Sequence, residues 1–215
     1  YESKLRALMG YDNKMIRRFT EMAVQNPKRV VFAEANHANM LSAAVTAYQE
    51  GICFPILLGN TDYIHSVAEQ NGLNLDGLEI VNLRSGEETE RREKYAKILA
   101  QKRQREGITL DEAREKMFDR NYFGMMMVEV GDADAFITGT YTKYTETIQI
   151  AKDVIGIREG HKHFGAMHIM NTKKGTYFLA DTLINRKPTT ETLIDIAKLS
   201  YDSVRFFAKD PVIAM

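Results

Sequence analysis

A short polar loop carries the residue types best suited to surrounding an anion. Residues 133–138 form an apolar run typical of a buried strand, and the loop after it supplies three threonine hydroxyls and a glycine (Thr138, Thr140, Thr142 and Gly139). Loops after strand ends are where open α/β sheets bind ligands. The helix predicted next carries Gln149 where a catalytic arginine would be wanted, which favours binding without turnover.

Polar residues also follow the other predicted strands. Glu34, Asn36 and His37 come after the first strand, and Gly59 and Asn60 come after the second. In an open parallel sheet, ligands bind where the strand order reverses, at the carboxyl ends of the strands. We therefore expect some of these residues to line one crevice. The sequence has neither a GxGxxG nor a Walker A motif, so no motif supports a dinucleotide or a nucleoside triphosphate as the ligand.

Three histidines in the last third of the chain raise the question of a metal site. His161, His163 and His168 have no cysteine or carboxylate cluster beside them in the sequence, and residues 161 and 163 point the same way only if that piece is extended. A role at the surface or at a domain interface is therefore favoured, and no metal site is predicted.

Asp181 follows a predicted strand, and two interpretations of it stay open. A loop aspartate can orient a ligand group or a base. Aspartate and asparagine are also ordinary turn formers, and Asn185 lies close by in the sequence. Nothing resembles a nucleophile elbow, so a hydrolase triad has little support.

Composition narrows the class of protein. With 215 residues and 44% hydrophobic content, the chain is long enough to bury a core. Basic and acidic residues balance at 29 each, so no net field attracts a nucleic acid or an anionic membrane. The single cysteine, Cys53, sits between apolar residues as a core thiol does. No run approaches the length of a membrane span, and we expect a soluble, cytoplasmic protein.

Strand-like and helix-like segments alternate over the first two thirds of the chain. Short β-branched or apolar runs occur at 29–33, 54–58, 78–83 and 133–138, with helical patterns between them. This alternation predicts a doubly wound, mainly parallel α/β sheet with helices on both faces. Spacings typical of a capping box at 85–88 and at 109–112 predict two helix starts, and the methionine-rich run at 121–130 predicts a core helix.

The pattern changes after Gly156. Residues 164–170 and 176–180 flank a turn-like segment and predict a hairpin, and residues 189–207 predict an amphipathic helix. We divide the chain into linker helices (1–27, with helical character at 3–25), a first α/β subdomain (28–145) and the start of a second α/β subdomain (146–215). Residues 211–215 look like the beginning of a strand, so we expect a fragment of a longer polypeptide.

Four motifs together resemble the phosphate acetyl/butyryltransferase family: KRVVFAE at 28–34, PILLGN at 55–60, ADAFITG at 133–139 and LADT at 179–182. The resemblance is closer to the version of this domain that is fused behind the catalytic part of bacterial hybrid malic enzymes, through FGAMH at 164–168, ADTLIN at 180–185 and VRFF at 204–207. It covers residues 28–215.

The resemblance implies a fold of two subdomains, dimerisation, and a cleft that accepts coenzyme A with phosphate or acetyl phosphate. Arg103 matches one arginine of the true transferases, whereas Gln149 stands in the place of a second and Asn39 in the place of a third. An amide does not reproduce a bidentate phosphate clamp. The family's serine–arginine pair and its aspartate would lie beyond Met215.

By this resemblance the chain is a noncatalytic, acyl-CoA-sensing and oligomerising domain of an NADP-dependent malic enzyme. The binding crevice would draw on six residues: Arg103, Thr138, Gly139, Thr140, Gln149 and Asp181. NADP and a divalent metal would belong to the catalytic part, upstream. Two alternatives remain: a working phosphate acyltransferase, and a pure oligomerisation module with a vestigial crevice.

Overall fold

A computed structural model describes residues 14–172, 174–207 and 211–214 of the chain. Their contacts divide into two compact units: residues 19–156, and the described residues among 1–18 and 157–215. The predicted boundary at residue 145 falls inside a helix that belongs to the first unit. The helical character predicted for residues 3–13 lies outside the described residues.

The helices are α1 (Lys14–Gln25), α2 (Ala38–Gln49), α3 (Thr61–Gln70), α4 (Thr89–Arg103), α5 (Leu110–Lys116), α6 (Arg120–Glu129), α7 (Tyr144–Val154) and α8 (Thr190–Arg205), with a 3-10 turn at Gln104–Glu106. The strands are β1 (Lys28–Phe32), β2 (Cys53–Leu58), β3 (Glu79–Val81), β4 (Ala135–Ile137), β5 (Met167–Thr172) and β6 (Gly175–Ala180).

The first unit contains a four-stranded sheet in the order β3-β2-β1-β4. All three pairings are parallel; Val31, for example, lies opposite Ile56 on β2 and Phe136 on β4. The chain moves outward from β1 to β3 on one side and then crosses to β4 on the other. The strand order therefore reverses between β1 and β4, as in a doubly wound fold.

Helices cover both faces of this sheet because successive strand residues point to opposite sides. Val31 faces a core formed with α4 to α7, where Tyr95, Leu99, Phe123 and Met126 are buried. The next residue along β1 faces a second core, whose buried residues are Phe32, Ala35, Leu41, Ala44, Cys53, Leu57, Ile64, Val67 and Ala68. The predicted parallel sheet with helices on both faces is confirmed, and Cys53 is a buried core thiol.

One of the two predicted capping boxes is present. The Thr109 hydroxyl accepts the backbone N–H of Glu112, whose carboxylate accepts the N–H of Thr109, so α5 begins as predicted. The prediction at 85–88 was wrong. Ser85 lies in a turn in which its carbonyl accepts the Arg92 guanidinium, and α4 begins at Thr89 with no side-chain cap.

Helix α6 is the most deeply buried helix of the first unit. Seven of its residues, Asn121 to Met127, are buried, as expected for the methionine-rich run. Gly124 lets the helix lie close against the sheet, because a Cβ there would come within 2.4 Å of the Phe136 ring on β4. This close packing fixes the first turn of α6 next to the loop that follows β4.

The second unit is built around an antiparallel hairpin, with Met167 opposite Ala180 and Thr172 opposite Gly175. Helix α8 contacts β6 and buries Thr192, Ile196 and Val204. Residues 211–214 form no strand, which corrects the expectation for that segment; Met215 lies outside the described residues. None of the described helices is long and apolar enough to cross a membrane.

Candidate functional site

The loops after β1 and β4 meet at the switch point of the sheet. Residues 33–37 follow β1 and residues 138–143 follow β4, and the two strands are hydrogen-bonded neighbours. The Ala33 N–H also bonds to the Ile137 carbonyl (3.0 Å), which extends the pairing to the loop. The loops predicted from the strand ends therefore lie side by side at this edge of the sheet, where the crevice was expected.

The carboxylate of Glu34 holds the β4 loop in place. Glu34 is completely buried, and its two oxygens accept the backbone N–H groups of Gly139 (3.1 Å), Thr140 (2.6 Å) and Tyr141 (2.8 Å). Burial alone raises the pKa of this carboxyl, but the hydrogen bonds from Tyr141, Thr140 and Gly139 together bring it below its ordinary value. An internal anion therefore occupies the backbone amides of the loop.

The threonine hydroxyls also have partners within the chain. Asn121, buried in the first turn of α6, accepts from the Thr138 hydroxyl (3.0 Å) and donates to the Thr142 hydroxyl (2.9 Å). The Thr140 side chain also acts to lower the pKa of Glu34. The loop is therefore preorganised by α6 and β1, and Gly139 provides the positive φ of 137° that its path requires.

Arg103 lies away from the loop, at the opposite end of α7. Its Nε donates to the Asp153 carbonyl (2.6 Å) and its Nη2 to the Lys152 carbonyl (2.7 Å), while Nη1 pairs with Glu106 (2.6 Å). The guanidinium thus satisfies carbonyl groups in the last turn of α7. An eleven-residue helix, α7, lies between Arg103 and the Thr138–Thr140 loop.

Gln149 donates from its side-chain amide to the Asp153 carboxylate (2.8 Å). The same carboxylate accepts the Tyr122 hydroxyl (2.8 Å), and the Lys116 ammonium donates to that hydroxyl (3.0 Å). Burial, and then Asp153, raise the pKa of the Tyr122 phenol. Position 149 is therefore next to a negative charge.

Asp181 belongs to the second unit, where its carboxylate organises the turn after β6. It accepts five N–H groups, from the backbones of Ala166, Leu183, Ile184 and Asn185 and from the Asn185 side chain. Burial acts to raise the pKa of Asp181, but these hydrogen bonds lower it to about 2. The turn-forming interpretation thus has direct geometric support.

The histidines of the second unit share one carboxylate. Nδ1 of His163 lies 3.0 Å from Asp195, and Nδ1 of His161 lies 3.6 Å from it. The Lys162 N–H and then the His163 ring lower the pKa of Asp195 to about 2. Within the described ranges, no three histidine, cysteine or acidic residues are placed to hold a metal ion.

Three residues of the switch point, Glu34, Asn121 and Arg120, were not identified from the sequence as contacts of the loop after β4. The only sequence signal for Glu34 was its place directly after the apolar run 30–33, which carries the carboxylate into the interior. Asn121 stood out weakly, as a polar residue opening an apolar helix. Arg120, beside it, had no signal, but its guanidinium lies 5.9 Å from the centre of the Tyr141 ring.

Comparison with known proteins agrees with this architecture. A family model described as "Phosphate acetyl/butaryl transferase" matches residues 14–215. The chain is 33% identical to the NADP-dependent malic enzyme of Salmonella typhimurium over its whole length, and it covers 28% of that protein. It is 32% identical to the phosphate acetyltransferase of Thermoanaerobacterium thermosaccharolyticum over 94% of its length, and it covers 62% of that enzyme.

A solved structure shares the fold. The phosphotransacetylase from Streptococcus pyogenes superposes with a TM-score of 0.80 at 24% identity, covering 90% of this chain and 58% of the other. The chain thus spans less than two thirds of the length of each of these relatives. The family resemblance drawn from the sequence motifs is confirmed.

Proposed function

The chain belongs to the phosphate acetyl/butaryl transferase family, and from that membership we propose that it is the acyl-CoA-sensing regulatory and oligomerisation domain of an NADP-dependent malic enzyme. In this proposal the chain binds acetyl-CoA or a related acyl-CoA and performs no transfer by itself. Identity to a malic enzyme over the whole chain supports the assignment. A cytoplasmic location is part of the same proposal.

The observation that carries the proposal is the environment of Gln149. The resemblance expects an arginine here, yet the chain has an amide that donates to Asp153. Transfer of an acyl group to phosphate requires cations that stabilise charge in the transition state. A neutral amide beside a carboxylate does not supply that stabilisation, which favours binding over turnover.

Binding without turnover is physically reasonable at this site. Interactions with the ligand that are equal in the ground state and the transition state give affinity but no rate. The polar loop at the switch point and the side chains around it still offer such interactions. Regulation follows if the ligand binds two states of the oligomer with different affinity, because coupling between sites is a difference in binding free energy.

The redox chemistry of a malic enzyme needs a nucleotide-binding motif and a set of metal ligands. The sequence lacks a GxGxxG fingerprint for NADP, and the part of the chain that the structure describes has no cluster of potential metal ligands. We therefore assign no oxidation or decarboxylation step to these residues. In the proposal, NADP and the divalent metal are bound by another part of a longer polypeptide.

A working phosphate acetyltransferase is the second candidate function. It is favoured by 32% identity to a phosphate acetyltransferase that the chain covers to 62% and by the presence of Arg103. Against it, the Arg103 guanidinium is already bonded to the carbonyls of residues 152 and 153 and to Glu106.

Two measurements on the 215-residue chain separate these functions. Isothermal titration with acetyl-CoA is expected to give saturable binding, and mixing the chain with acetyl phosphate and coenzyme A is expected to give no acetyl-CoA above the background. Robust acetyl-CoA formation would establish the transferase. Absence of both binding and turnover would leave only an oligomerisation module.

The coding sequence on either side of this segment tests the assignment to a malic enzyme. We expect a Rossmann fingerprint and a set of metal-binding carboxylates upstream of Tyr1. An upstream sequence without them would refute the malic enzyme assignment while leaving the acyl-CoA proposal to the titration.

A further inference from the structure

A partly buried arginine without an acidic partner stands at the switch point. Arg120 is the first residue of α6, and its guanidinium lies over the Tyr141 ring at 5.9 Å from the ring centre. Among the described residues, neither a carboxylate at ion-pair distance nor a hydrogen-bond acceptor reaches this guanidinium. A cation that is partly removed from water favours an anion beside it.

The nearby carboxylates are already engaged elsewhere. Asp119 precedes Arg120, but its Oδ1 accepts the backbone N–H groups of Asn121 and Tyr122 and caps α6. Glu34 is buried and accepts the amides of the β4 loop. Arg120 therefore keeps all of its donors for a group that approaches from outside.

Tyr141 links this arginine to a second nitrogen donor. Tyr141 is 61% exposed, and its backbone is held by the bond from its N–H to Glu34. The His37 ring meets it edge-on at 5.7 Å. Nδ1 of His37 accepts the Asn39 N–H (3.2 Å), so the ring proton lies on Nε2 in the neutral form and remains available.

The two positions expected to hold phosphate are less suitable. Arg103 is occupied by main-chain carbonyls at the far end of α7, and position 149 faces Asp153. Arg120 projects from the first turn of α6, beside the loop after β4, where doubly wound folds bind ligands. It combines a planar fork of donors with a partly exposed position next to that loop.

We propose that Arg120, flanked by Tyr141 and His37, binds a phosphate group of the ligand at the switch point and takes the place of the arginine absent at position 149. This inference rests on the proposed acyl-CoA function, which supplies the ligand. The recognised chemistry is a phosphate dianion or diphosphate, which both free phosphate and coenzyme A carry.

Titrations with the 215-residue chain test this proposal. The probes are acetyl-CoA, acetyl-dephospho-CoA and inorganic phosphate, and the variants are Arg120→Ala, Arg120→Lys and the control Arg105→Ala, which removes the same charge from an exposed site. Loss of a charge-assisted contact is expected to weaken acetyl-CoA binding by about tenfold or more for Arg120→Ala. The affinity of Arg120→Lys for acetyl-CoA should lie between those of Arg120→Ala and the unsubstituted chain. The affinity of Arg105→Ala should change little.

The probes identify the phosphate that Arg120 contacts. If Arg120→Ala weakens acetyl-CoA but not acetyl-dephospho-CoA, the contact is to the 3′-phosphate; if it weakens both, the contact is to the diphosphate. Loss of inorganic phosphate binding alone points to a free phosphate subsite. Thermal melting of each variant checks that the fold is retained.

The outcomes distinguish this inference from the function on which it rests. If the unsubstituted chain binds acetyl-CoA and Arg120→Ala binds it equally well, the role of Arg120 is refuted while the sensing function stands. If the unsubstituted chain binds no acyl-CoA, the sensing function fails. In that case, inorganic phosphate binding that depends on Arg120 would still support the phosphate site, and its absence would refute it.

Discussion

The buried carboxylate of Glu34 accepts the backbone N–H of Thr140 at 2.6 Å, across 106 residues of sequence. This contact joins the loop after β1 to the loop after β4 at the switch point of the sheet. The sequence predicts a loop that could surround a bound anion, but in the structure the Glu34 carboxylate already occupies the amides of this loop. In the proposed function, the ligand would then be held by side chains around the loop, such as Arg120.

Replacement of this carboxylate will loosen the loop. In Glu34→Gln an N–H₂ group replaces one of the two oxygens that now accept backbone N–H groups of the loop, so we expect a loss of about 1–3 kcal/mol in the free energy of unfolding, measured with urea. Glu69→Gln, on an exposed position of α3, should change it by less than about 0.5 kcal/mol. Equal effects of the two substitutions would show that the Glu34 bonds contribute nothing specific.

The same carboxylate predicts a pH dependence. The pKa of Glu34 is lower in the folded chain than its ordinary value near 4.5, so the ionised form is stabilised by folding. This stabilisation is complete above the ordinary pKa and is lost as pH falls through the folded pKa. Urea unfolding at several acidic pH values should show a smaller decline for Glu34→Gln than for the unsubstituted chain.

Restoring an arginine at position 149 will have little effect by itself. In Gln149→Arg the new guanidinium would pair with Asp153 one turn later on α7, where the glutamine amide now donates. We expect a gain in phosphate affinity below about threefold for this variant, and about tenfold or more when Asp153→Asn is added. Calorimetry with inorganic phosphate measures both.

Asp153→Asn alone is the matched control for that pair. It keeps an acceptor for the Tyr122 hydroxyl and removes only the charge. A tenfold gain in phosphate affinity from Gln149→Arg in a chain that keeps Asp153 would show that Asp153 does not neutralise an arginine at position 149. That result would favour a phosphate site on α7.

Asp181 is expected to stabilise the turn after β6. Asp181→Asn removes a charged acceptor of several N–H groups, so the amides of Ala166 and Asn185 should exchange with solvent faster, as measured by NMR. Because the pKa falls from 3.8 to about 2 on folding, this stabilisation is present above about pH 4 and is lost as pH falls toward 2.

The exposed Asp202 provides the comparison for Asp181. It pairs with Arg158 at 3.5 Å on the surface, and such pairs contribute little, so Asp202→Asn should leave the exchange rates unchanged. If Asp181→Asn instead weakens acetyl-CoA binding with no change in exchange, the aspartate is a ligand group and not a turn former.

Periodicity predicted the elements of the first unit well. The runs at 29–33, 54–58 and 133–138 became β1, β2 and β4 with ends shifted by one or two residues, since apolar and β-branched runs mark strands in the sequence itself. The run at 133–138 was predicted to be a buried strand, but β4 is only partly buried and Ile137 is exposed. The capping spacing at 85–88 failed because Ser85 is used by its carbonyl in a turn around Arg92. The spacing of residues 85–88 does not indicate that this contact with Arg92 will form.

The candidate site was predictable only as a region. Thr138, Gly139 and Thr140 do lie at the switch point, as their place after a strand indicated. Their partners Glu34 and Asn121 are far away in the sequence, and no spacing rule relates them to the loop. Arg103, the last residue of α4, bonds to carbonyls at the end of α7, and Gln149 bonds to Asp153 on α7; the family comparison by sequence indicated neither contact.

The sequence by itself determined the parallel α/β class, the family and the location of a polar loop at a strand end, because these follow from local side-chain patterns and short motifs. The tertiary structure alone decided which groups remain available to a ligand. Hydrogen-bond partners are assigned when strands pair and helices pack, and packing gave the amides to Glu34, Gln149 to Asp153 and the Arg103 guanidinium to the end of α7. It left the donors of the Arg120 guanidinium without a partner among the described residues, beside the loop that follows β4.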